Sequence, residues 1–460
     1  MRGHHAWFAL SAMLGVTRLA HAGTEWKVVY LDKGTTTGFY DARSATAVSG
    51  NSGKTVGEQR RIAFEAAVGI WAKVLSSTVA WTIEAQMTDL PCDAESAVLG
   101  QASPSTAVAI TPSGTARRLA YPIALANALQ STDLQTGDAE NPSGAEIYAE
   151  FNSAVGNASC LGGQPFYYGL DGNAGSSLDF LGIVLHELGH GFGFTSFLDF
   201  ATGEQLFARA PDAFSVHAFD VDQQATWDTL DASQLIESIK NARGLVWDGA
   251  EVKKSAPRFL VKGSPRISVD PSVTGLTGLL SEHDSGPKLA DRPAKGPLVV
   301  PNPASGCTRP SNLANLKGAI ALVDPKGACH PLEATDRMQS AGALAVLAVD
   351  SSASWPPSVI VGILQGQTIP VVSIHPSDAA LLTAGSAMRT VTLDGDPNVL
   401  VGADPSGRIF LNATNPVVKG SSISHWDALA RNQLLMEPSR SAGHRDVDLT
   451  REFMRDLGWP

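Results

Sequence analysis

Three residues in the stretch "FLGIVLHELGHGFGFTSF", Phe180 to Phe197, can do chemistry together: His186, Glu187 and His190. The two histidines are four residues apart. On a helix both imidazoles then stand on one face, one turn apart, where they can share one zinc ion. Glu187 follows the first histidine directly and so points at a different angle. From there its carboxylate reaches a water beside the metal instead of the metal itself. Zinc brings the pKa of such a water toward neutrality, and the carboxylate can take its proton as the nucleophile forms. In a chain of this composition an H-E-x-x-H arises by chance about 0.01 times, so composition alone does not account for it. The bland alternative is two core histidines satisfied by hydrogen bonds. It would need partners for three polar groups on an apolar helix.

Two histidines do not complete a catalytic zinc site, which takes three protein ligands and keeps one position open. In the extended pattern H-E-x-x-H-x-x-G-x-x-H the third histidine follows a glycine turn. Gly193 stands at the glycine position and allows a sharp turn after the helix, but the last position is Ser196, a poor zinc ligand. The third ligand therefore comes from elsewhere. His283, His330 and His375 fall in a region of different texture described below. His217, His425 and His444 remain, with carboxylates such as Asp199 and Asp220.

The elements that must position these groups are partly legible. Leu178, Leu181, Leu185 and Leu188 recur at helical spacing through the motif, with Ser176 and Asp179 as a capping box before it and a helix end near Gly191 or Gly193. Earlier, "EQRRIAFEAAVGIWAKVLSS" carries Phe64, Val68, Trp71 and Leu75 on one stripe, an amphipathic helix. Glu25–Leu31, Val79–Met87 and "AEIYAEFNS" read as strands. Helix and strands in one unit predict an α+β fold. From about Val261 to Thr392 the chain changes to short β runs and Gly/Pro/Ser turns: "KGAIALVD", "ALAVLAVD" and "IPVVSI", with a helix expected at "EATDRMQSAGA". That spacing predicts a small independent α/β unit. From about Leu400 helical signals return.

The chain has 460 residues, too many for one typical domain. The expected division is a signal peptide over 1–22, a first catalytic part over 23–260, an insert over 261–392 and a C-terminal part over 393–460. The leader rests on the apolar run Ala6–Val16 followed by Ala20-His21-Ala22, an A-x-A cleavage pattern. No later stretch is apolar for long enough to span a bilayer. The expected protein is therefore exported, secreted or periplasmic. A net charge of -11 argues against nucleic-acid or anionic-membrane partners and suits soluble protein or peptide substrates. Four cysteines in an exported chain suggest two disulfides. Of the three pairings, Cys92–Cys160 with Cys307–Cys329 keeps each bridge within one proposed unit.

The combination of "HELGHGFGF" with a distant "SHWD…LLMEP" resembles the leishmanolysin-type metzincin metalloproteases. In that family the third histidine comes after an insertion, in a His-Trp pair, with the Met-turn methionine eleven residues later. Here His425-Trp426 and Met436 have that spacing. The resemblance implies a zinc site of His186, His190 and His425 and an apolar floor at Met436. It also implies general-base catalysis by Glu187 and an edge strand for the substrate near Ala107–Thr111. Trp426 and Asp427 are then structural, and Asp179 and Phe180 fix the start of the active-site helix.

The stretch "LKGAIALVDPKGACHPLEATDRMQSAGALAVLAVD" with "IPVVSI" resembles a protease-associated (PA) domain, and Cys307 and Cys329 sit where such domains often carry a disulfide. Bacterial secreted peptidases with an inserted PA domain are similar in plan, and there the insert filters or positions substrate. The implied activity is a zinc endopeptidase. Two alternatives stand beside it. One is a non-enzymatic PA-domain binding protein whose structural zinc is closed by a fourth ligand, from His217 or Asp220, although Glu187 has no use there. The other is a zinc hydrolase of non-peptide amides.

Overall fold

The computed structural model describes residues 23–138, 141–206, 210–284, 286–360, 366–385, 387–430, 434–438 and 443–460. The leader expected over residues 1–22 lies outside them.

The first body begins with β1 (Trp26–Tyr30), followed by α1 (Val56–Val74) and β2 (Trp81–Thr88). Next come β3 (Gly100–Pro104), the short pair β4 (Ala107–Ile110) and β5 (Leu119–Pro122), α2 (Ile123–Gln130), β6 (Ile147–Asn152) and α3 (Phe180–Phe192). A full capping box between Thr55 and Glu58 starts α1. Its apolar stripe, Phe64, Val68 and Trp71, is completely buried. β1, β2, β6 and β3 form one sheet in that order; β3 runs antiparallel to β6 and forms an edge. α3 packs against α1, and the indole of Trp71 donates to the Leu185 carbonyl at 3.0 Å.

Two expectations for this body need correction. β4 pairs with β5 outside the main sheet, so the strand beside α3 is β3 and not Ala107–Thr111. No capping box starts α3 either. Asp179 is its N-cap residue but makes no side-chain cap. Its carboxylate instead holds Arg445 in a fork, at 2.7 and 2.9 Å. Leu178, expected on the helix, lies in a two-residue strand before it, paired with Phe166.

The region after residue 261 builds its own sheet. Seven strands lie in the order Lys262–Asp270, Thr390–Leu400, Ala294–Val299, Ile320–Val323, Ala345–Val349, Val371–Ile374, Leu280–Glu282. Alternate residues of the central parallel strands face two separate cores. Leu322 and Leu347 pack on one side with Ala379 and Leu382 of the helix Pro376–Thr383. Val323 and Val346 pack on the other with Leu332 and Met338 of the helix Pro331–Ser340. The first and second strands form the stem of the insert, with Lys262 opposite Leu400. Both expected disulfides are present, Cys92–Cys160 and Cys307–Cys329.

Beyond the stem the chain rejoins the first body through a small sheet, where Val246 and Trp247 pair with Phe410 and Ile409. Helical content here is lower than the sequence suggests: among the described residues there are a single 3-10 turn and the C-terminal helix Thr450–Leu457. Most of 411–427 is irregular chain held by hydrogen bonds. No helix among the described residues is long and apolar enough to cross a membrane.

Candidate metal centre

α3 places His186 and His190 one turn apart, as their spacing requires. The segment after the insert carries His425 to them. The Nε2 atom of His186 lies 3.1 Å from that of His425 and 3.2 Å from that of His190. Each ring is oriented through its other nitrogen. His186 Nδ1 donates to the Leu435 carbonyl at 2.7 Å, His190 Nδ1 to Phe194 at 2.8 Å and His425 Nδ1 to Ser421 at 2.8 Å. With the proton on Nδ1, each Nε2 turns a lone pair toward the other two. Burial pushes His186 down to about 3 and His190 to about 4, and holds His425 well below its ordinary value. The neighbouring imidazoles push His186 and His425 the same way. Three neutral rings with converging lone pairs are mutually repulsive unless a cation sits between them. The donor set suits zinc.

Among the described residues no fourth His, Cys, Asp or Glu side chain joins this cluster. His217 instead packs on the Trp247 ring, and Asp220 receives Asp222 N, Gln223 N and the Asn241 amide. Asp199 closes a turn on Ala201 N, and His444 lies beside Asp448. Ser196 donates to Asp212. None of the alternative third ligands is therefore brought to the two helical histidines.

Glu187 stands next to the cluster against β3. Burial pushes its carboxyl up to about 8, while a backbone hydrogen bond from Ala102 pulls it down. The three histidines and Glu187 open into a cleft of about 1010 Å³, walled by Leu99 and Gln101 on one side and Leu198, Phe200, Lys419 and Ser422 on others. That shape sets the outer edge of β3 and an apolar wall along one cleft.

Met436 is fully buried beneath α3. Its position depends on Gly189, where a Cβ would come within 2.6 Å of the Met436 sulfur. At Gly193 the helix ends with φ +134°, and the chain turns so that the Phe194 carbonyl meets His190. Four features of the site were not read from the sequence. They are Gly189, the edge strand β3, the Leu435 carbonyl and Asn412, whose amide donates to both the carbonyl and the hydroxyl of Ser421 at 3.0 Å. Asn412 thereby fixes the acceptor that orients His425. Only Gly189 left a signal, a residue without a side chain on the apolar face of the motif helix.

Residues 294–382 match the PA domain family, which accounts for the central strands of the inserted sheet and excludes all three histidines. No curated protein matches the chain. Among solved structures, a zinc aminopeptidase from Bacillus subtilis is 23% identical over 32% of this chain and 35% of its own, with a TM-score of 0.23. A psychrophilic subtilisin-like protease from Pseudoalteromonas sp. AS-11 is 20% identical over 30% and 34%, also with a TM-score of 0.23. An aminopeptidase from Aneurinibacillus sp. strain AM-1 is 14% identical over 40% and 42%, with a TM-score of 0.18. The chain thus spans about a third to two-fifths of the solved structures it matches, and likeness at this level says nothing of overall fold or activity.

Proposed function

We propose that this protein is an exported zinc endopeptidase of the leishmanolysin-like metzincin kind, with a PA domain inserted over about 261–392. The observation that carries the reading is the convergence of three Nε2 atoms whose Nδ1 protons are each committed to a backbone carbonyl. His186, His190 and His425 would hold the metal. When bound, zinc supplies Lewis acidity toward a water molecule and a substrate carbonyl. Glu187 takes the proton of that water on a carboxylate oxygen and gives it to the leaving amine. β3 presents its outer edge along the cleft, where an extended peptide adds as a further strand. Met436 and Gly189 fix the depth of the histidine pair. The two disulfides suit an oxidising compartment. The absence of a fourth protein ligand among the described residues favours a catalytic over a structural metal.

Glu187→Gln tests the reading. The amide is nearly isosteric and leaves the histidines alone, but it cannot accept the proton. Casein hydrolysis is expected to fall by about 10²–10⁴-fold with zinc content unchanged. Turnover near that of the wild type would remove Glu187 as the base.

A further inference from the structure

One buried side chain ties the insert to the histidine cluster. Arg243 is 5% exposed at its side chain and Asp427 is 2% exposed, and their charged groups lie 3.4 Å apart. Asp427 is two residues beyond His425. The guanidinium also donates to the Leu280 carbonyl at 2.5 Å and to the Ser281 hydroxyl at 2.7 Å. Leu280 and Ser281 belong to the edge strand of the inserted sheet, paired with Ile374 and Ser373. One cation therefore bridges that sheet and the chain next to the third histidine.

A second tie acts on the same segment. Trp355, on a loop of the insert, and Asn415 exchange two backbone hydrogen bonds, at 2.9 and 2.8 Å. Asn415 lies in the loop that runs from Leu411 to His425. Within this loop Asn412 donates to Ser421, and the hydroxyls of Thr414 and Ser422 are hydrogen-bonded. Both ties come from one end of the insert: Leu280 pairs with Ile374, and the next residue, His375, stacks its ring on Trp355 at 3.7 Å.

We propose that Arg243 is a positioning residue for His425, and that through it the inserted sheet forms part of the scaffold of the metal centre. The inference rests on the zinc reading above. Asp427 is anchored within its own segment through its backbone N–H to Phe410 O, at 2.9 Å, and through its carboxylate to Leu429 N, at 2.7 Å. Arg243 is what connects that anchored turn to the insert. A buried carboxylate that loses its cation turns toward water, and the chain carrying it moves. The histidine two residues away then loses its register with the pair on α3, whose own geometry does not depend on the insert.

The test uses the full-length protein. Zinc affinity is measured by competition with a chromophoric chelator, alongside kcat, KM and thermal unfolding of the metal-free form. Arg243→Ala is expected to bind zinc about 10- to 100-fold more weakly and to lose kcat, with KM for a short peptide little changed. Arg243→Lys keeps a cation opposite Asp427 and recovers part of the loss. A folded Arg243→Ala protein with wild-type zinc affinity overturns the proposal, as does a lysine variant no tighter than the alanine one. If Arg243→Ala does not fold, Ser281→Ala decides. It removes one hydroxyl from the insert side and should weaken zinc by about two- to tenfold, whereas unchanged affinity overturns the assignment. His425→Ala in the same assay separates the two readings. If it binds zinc like the wild type, the metal assignment fails and this inference with it. If it loses zinc while the Arg243 variants keep theirs, only the positioning role fails.

Discussion

The histidine cluster has two halves built on different principles. His186 and His190 ride one helix, and the turn of that helix alone sets their spacing. His425 lies on irregular chain, and its place is set by a relay of contacts: Ser421 under Nδ1 and Asn412 under Ser421 within its own loop, Trp426 N on the Met436 carbonyl, and, from far away in sequence, Arg243 on Asp427. Ile423, two residues before it, is fully buried with φ +75°, a conformation a β-branched side chain adopts only when its surroundings leave it no other. A helix delivers two of the histidines from local sequence alone. The third requires much of the rest of the molecule, and it is the half where distant substitutions should register.

Removing the histidine carried by the loop should have the largest effect. His425→Ala should lose tight zinc and casein hydrolysis together, as His190→Ala should. His217→Ala and His444→Ala should keep both, because neither side chain belongs to the converging group. If His217→Ala lost zinc instead, the loop would not hold a ligand. Excision of the insert between the paired residues Lys262 and Leu400, closed by a short flexible linker, sharpens the contrast. The ends already face each other across the stem, so closure costs little. The shortened protein should fold, shown by a cooperative melt, and retain zinc more weakly than the full chain. Equal affinity would mean that the insert holds nothing at the site.

Smaller changes probe each half. Asn412→Ala removes the amide beneath Ser421 and should weaken zinc by about tenfold or more without exposing a ligand, as read by chelator competition. On the helix side, Gly189→Ala drives a methyl toward the Met436 sulfur. Overpacking of about 1–3 kcal/mol opposes a helix-propensity gain of about 1 kcal/mol. A modest fall in Tm should result. A rise would show that Met436 yields freely.

What the sequence discloses follows the same division. The motif helix, the stripe on α1 and the strands β1, β2 and β6 are written in local periodicity. The central strands of the inserted sheet show instead as short apolar runs between turns, because they are buried on both faces. β3 shows neither. Gly100, Gln101, Ala102, Ser103 and Pro104 have little strand preference and no alternating apolar face, and the strand exists because β6 pairs with it. The capping box failed for a related reason: Asp179 answers to Arg445, 266 residues away. Resemblance, and not spacing, pointed to His425. Arg243, Trp355 and Asn415 carry no local pattern at all, since each acts through a partner on another element, and Asn412 acts across a loop without periodicity.

The separation of the three histidines along the chain also sets a timetable. His186 and His425 are 239 residues apart. At a synthesis rate of about 5–20 residues per second, a growing chain carries the H-E-x-x-H helix for about 10–50 seconds before the third histidine exists. During that interval the insert, which lies between them, is made first and can close its own two cores. On the reading proposed here, the nascent chain holds its general base and two ligands but cannot assemble a competent metal centre. On that reading, the order of residues along the chain delays hydrolytic activity until residue 425 has been made.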